Sequence, residues 1–150
     1  KEVSVVIKPH VNNIHDGKNH ALKLIPEIEK SVYARLYTGK LKTFEYDMAM
    51  TGTNLKSMLG LCYEEWPTDG SVKAWFKDSM DVDFTKATEA VKSDYAHELL
   101  ERIDSNDMGK GLFAQLLADK ISLEGDKFSV PDYIRQAILW SCGITDEIVV

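Results

Sequence analysis

Apolar residues fall along this chain in two different rhythms. Near the start, "EVSVVIK" (residues 2–8) is continuous and β-branched and predicts a buried strand closed by Pro9. "HVNNIHDGKN" (10–19) follows as turn chemistry, rich in Asn, Asp and Gly. From His20 the spacing becomes helical, with Ala21, Leu24, Ile25 and Ile28 on one face and Pro26 limiting the run. "YARLYT" (33–38) reads as a second strand, broken by Gly39 and Lys40. Strand, helix, strand is the order of a parallel crossover unit.

Beyond residue 50 the three- and four-residue step dominates. Leu55, Met58, Leu59, Cys62 and Trp66 predict a helix capped by Thr53 or Asn54 and ended by Pro67, Asp69 and Gly70. A short helix follows with Val72, Trp75 and Phe76 inward. The clearest one places Phe84, Ala87, Val91, Tyr95, Leu99 and Ile103 in a stripe. Ser105, Asn106 and Asp107 offer caps to the next, which turns Leu112, Phe113, Leu116, Leu117 and Ile121 inward. The last sets Pro131 at its first turn and Ile134, Ala137 and Ile138 inward. The expected fold is α/β. It is one domain, with a short parallel sheet portion over about 1–52 and a mainly helical remainder over about 53–150.

Composition supports a globular chain, at 44% apolar and 28% charged residues. No run approaches a membrane span. The chain begins with Lys1, which fits a piece excised from something longer. The net charge of −6 concentrates in 64–107, with five Lys/Arg against twelve Asp/Glu, so a globally basic nucleic-acid binder is not expected. Cys62 and Cys142 lie far apart among apolar neighbours and predict two buried thiols and a cytoplasmic setting. His10, His15, His20 and His97 lack zinc spacing.

Two stretches carry candidate chemistry. In "LKTFEYDMAM" (41–50), Glu45 and Asp47 stand where strand gives way to helix. First-turn carboxylates there favour the positive end of the helix dipole, and an outward-facing pair also suits a hard cation. In "NDMGKGLFAQ" (106–115), Lys110 lies between Gly109 and Gly111 at a helix start, placed to meet a phosphate or an oxyanion, and equally readable as a flexible joint. The chain has no P-loop.

Taken together, Thr43-Phe44-Glu45-Tyr46-Asp47-Met48-Ala49, then Lys110-Gly111 with Phe113-Ala114, then Val130-Pro131 with Tyr133-Ile134, form an ordered set of motifs. Over roughly residues 33–140 this set resembles the carboxyl-terminal part of the Toprim nuclease region of OLD-family (overcoming lysogenisation defect) ATP-dependent endonucleases. The resemblance implies a divalent-metal-dependent DNA nuclease using Mg2+ or Mn2+. Glu45 would be a metal ligand and Lys110 the lysine that stabilises charge on the scissile phosphate. Asp47 would be a second acid of the metal motif that mainly supports it. DNA would be met through the parent protein, while ATP binding and homodimer formation would belong to regions outside this chain. An earlier glutamate and an Asp-x-Asp pair are missing from the pattern: "VNNIHDGKN" offers only Asp16, and Glu2 stands at the chain start. The chain by itself is therefore expected to hold an incomplete site and to be inactive. The alternative is a non-catalytic helical interaction or regulatory module.

Overall fold

The computed structural model describes residues 20–28, 30–39, 43–105 and 108–144. Two compact units divide the chain: Phe44–Val130, and the pair of segments Lys1–Thr43 and Pro131–Val150.

Among its described residues, the regular elements of the Phe44–Val130 unit are all helices. They are α2 (Phe44–Met50), α3 (Asn54–Glu65), α4 (Ser71–Ser79), α5 (Glu89–Ser105) and α6 (Gly109–Glu124), the last followed by a 3-10 turn at Gly125–Lys127. The other unit contains α1 (His20–Ile28) and α7 (Asp132–Ser141).

The α/β expectation is overturned, because no strand or sheet occurs among the described residues. The anticipated first strand, 2–8, lies outside them. Residues 33–38 are described, and they run as irregular chain with no ladder. Alternating aromatic and small residues suit a pleated surface, but a strand exists only where a second backbone pairs with it. Arg35 instead places its guanidinium over the Trp140 ring, 5.6 Å from the centroid. Pro26 lies inside α1 without ending it before Ile28.

The centre of the larger unit is α3. Asn54, Leu55, Met58, Leu59, Gly60, Leu61 and Cys62 are all buried, so this helix is enclosed on nearly every side. Helices α2, α4, α5 and α6 all pack against it. Gly60 leaves room for the Met80 side chain, whose terminal methyl would stand 3.3 Å from a Cβ there.

Aromatic rings join the packed helices. Phe76 of α4 meets Trp66 at 4.9 Å between centroids and Trp75 at 5.2 Å. Tyr95 of α5 stacks on Trp75 and meets Phe84 edge-on. Arg102 lies 4.4 Å over the Trp75 ring.

Two helices start differently from the sequence reading. Helix α5 begins at Glu89, and Phe84 reaches the core from the turn before it. Its buried stripe is Ala96, Leu99 and Ile103, while Val91 is exposed. Neither Thr53 nor Asn54 caps α3 through its side chain. Asn54 is fully buried and turned elsewhere. Its Nδ2 donates to the Met48 and Ser129 carbonyls at 2.9 and 2.7 Å, and its Oδ1 accepts from the Ser129 N–H at 2.8 Å.

Candidate functional site

Of the strand-to-helix switch expected at residues 41–50, residues 41 and 42 lie outside the described residues and Phe44–Met50 form the seven-residue helix α2, with Glu45 and Asp47 both in its first turn. Met48 and Ala49 are buried in the core and fix how the helix rolls. A hydroxyl–hydroxyl hydrogen bond of 2.6 Å between Tyr46 and Ser93 ties it to α5. This roll separates the two acids. Asp47 is buried with Met48 and Ala49, at 7% exposure, whereas Glu45 keeps access to solvent.

Lys110 stands on the first turn of α6, exposed, between two glycines. Gly109 has a φ of +65°, which an L side chain rarely adopts, so this glycine serves the entry into α6. Met108 at the N-cap, Phe113 and Leu117 are buried and hold α6 in the core. Lys120, further along, bridges to Glu64 of α3 at 2.9 Å.

Lys110 Nζ lies 2.7 Å from Asp104 Oδ2, carried on the last turn of α5. The hydrogen bond to Asp104 raises the Lys110 pKa above the ordinary lysine value, partial desolvation opposes it, and the charges of Asp104 and then Glu45 add to it. Glu45 and Lys110, 65 positions apart in sequence, thus share one electrostatic neighbourhood. Asp104 is the member that sequence reasoning missed. It belongs to the charged face of α5, where a functional acid looks like any solvated one, and its only signal was a place six residues before Lys110 across a helix joint.

A divalent cation needs several oxygen ligands converging on one point. Among the described residues, no group of three or more His, Cys, Asp or Glu side chains is arranged to hold a metal ion. The acids gathered here do not by themselves fit the ion that the motifs imply. Of the histidines, His97 is exposed and lies 3.2 Å from Glu101, one helical turn on. No helix among the described residues is long and apolar enough to cross a membrane.

The two thiols differ. Cys62 is buried in α3, and burial pushes its pKa up to about 12. Cys142, expected to be buried, is exposed beyond the end of α7, because that helix buries none of its residues fully. Ellman's reagent is therefore expected to titrate one thiol per folded chain rapidly and the second only in denaturant. Rapid release of both would show that α3 opens in the native state.

No protein-family model, curated protein or solved structure matches the chain.

Proposed function

We propose that this chain is a carboxyl-terminal portion of a divalent-metal-dependent DNA endonuclease of the OLD type, holding part of the catalytic site. The observation that carries the reading is that Glu45 and Lys110 lie on separate helices of one unit, near enough for the Glu45 charge to add the smallest of the influences that raise the Lys110 pKa. These are the two residues singled out by the resemblance, and the Glu45 charge acts on the Lys110 ammonium from another helix. In this reading Lys110 brings a fixed positive charge to the scissile phosphate and stabilises the charge that grows on its oxygens. Glu45, partly exposed, would supply one carboxylate toward Mg2+ or Mn2+, and the further ligands would come from outside the described residues. Asp47, buried, supports the α2 motif from behind. ATP hydrolysis and dimer formation belong to other regions of a longer cytoplasmic protein.

The test is nicking of supercoiled DNA in Mn2+ by that longer protein. Glu45→Ala and Lys110→Ala are each expected to lower the initial rate by about a hundredfold or more. Lys110 is exposed and Glu45 partly so, and neither is in the core, so the thermal midpoint should move little. Unchanged nicking in both variants would sink the assignment.

The second reading is a non-catalytic helical interaction module. It is favoured by the acidity of residues 64–107, five Lys/Arg against twelve Asp/Glu, which suits a solvated helical face. Unchanged nicking is the outcome it predicts.

A further inference from the structure

We propose that Asp104 is a positioning residue for Lys110, fixing from the last turn of α5 the place of an ammonium group carried on the first turn of α6. The inference rests on the nuclease reading for its catalytic consequence, and on geometry alone for the positioning.

A lysine side chain is a point charge on a flexible four-carbon stem, and it finds its place only through contacts. The helix beneath Lys110 is well anchored, by Met108, Phe113 and Leu117 in the core. The Lys110 side chain is half exposed. Its two neighbours are glycines, and a Cβ added at either Gly109 or Gly111 would meet nothing within 4 Å. The 2.7 Å ion pair with Asp104 favours one place for the ammonium.

Both partners are about half exposed, so solvent screens the pair and its contribution to folding is small. Placement is the effect that survives screening. A charge set where phosphate oxygens become negative costs no reorganisation at the moment of reaction, and a displacement of about 1 Å can cost up to a hundredfold in rate. The side of α5 facing this joint thus does more than solvate the helix.

The experiment has two arms. In the first, this chain is reductively methylated with 13C, the Lys110 resonance is assigned by its loss in Lys110→Arg, and its titration is followed. Asp104→Asn is expected to lower the Lys110 pKa, and Asp104→Glu to restore it. An unchanged titration in Asp104→Asn overturns the positioning. In the second arm, Asp104→Asn in the longer protein is expected to cut Mn2+-dependent nicking about ten- to a hundredfold through kcat rather than KM, with rescue by Asp104→Glu. Full nicking in Asp104→Asn overturns the catalytic consequence. A wild-type protein that never nicks defeats the nuclease reading, and the resonance still decides the placement of Lys110.

Discussion

Phe76→Ala should lower the free energy of unfolding by ~3–5 kcal/mol. Phe76 is fully buried on α4, a helix of nine residues that is too short to be stable without its packing. Its ring touches Trp66 at the end of α3 and Trp75 on its own helix. Truncation removes both ring contacts and opens a cavity in a tightly packed part of the core. Phe76→Leu keeps most of the volume and loses the ring geometry, so its cost should be smaller, about 1–2 kcal/mol. Urea unfolding followed by tryptophan fluorescence reads both values, because two of the three tryptophans lie against Phe76. A loss below ~1 kcal/mol in Phe76→Ala would mean that α4 does not share the cooperative core.

The residues that set this core were legible as a pattern. Leu55, Met58, Leu59 and Cys62 recur at helical spacing and are buried together in α3. Phe76, Leu99, Ile103, Phe113 and Leu117 behave in the same way. Periodicity succeeded here because a helix that buries one stripe leaves a signal independent of its partners. It failed where the outcome depends on a partner. Residues 33–38 have strand composition, but composition cannot supply the second backbone that a ladder requires. The stripe of α5 was misjudged at Val91 and Ala96, because small apolar residues weigh little in such a pattern even when they lie at a helix crossing.

The candidate site divides along the same line. Glu45 and Lys110 were visible as residue types at helix starts, and their motifs suggested a distant pairing. The burial of Asp47 was not visible, since it follows from how Met48 and Ala49 roll α2 into the core. The role of Asp104 depends on the angle between α5 and α6 at their joint, and residue spacing does not encode that angle.

Asn54→Ala is expected to cost about 3 kcal/mol, although it removes no charge and little apolar area. By position alone Asn54 is an ordinary helix-start residue, worth a fraction of that as a cap. Its side chain instead spans 75 positions to Ser129, exchanging hydrogen bonds with both backbone groups of that residue while also serving the Met48 carbonyl. Alanine takes these partners from both backbone groups of Ser129 in a partly buried place, and leaves the Met48 carbonyl with the Thr51 N–H at 3.2 Å. The loss should therefore exceed that of any surface polar residue. Gly52 shows how closely the Ser129 segment is seated: its φ is +55°, and a Cβ there would fall within 2.8 Å of Ser129 Cβ. Asn54→Asp separates shape from hydrogen bonding. It keeps the acceptor for the Ser129 N–H but turns two donations into carboxylate–carbonyl repulsions, and should be at least as damaging as alanine near neutral pH. Protonating that carboxyl restores one donor, so its deficit should shrink as pH falls through the raised pKa of a buried acid. Equal stability of Asn54→Ala and the parent chain in urea would show that the Asn54–Ser129 link does not hold the end of α6 to the start of α3.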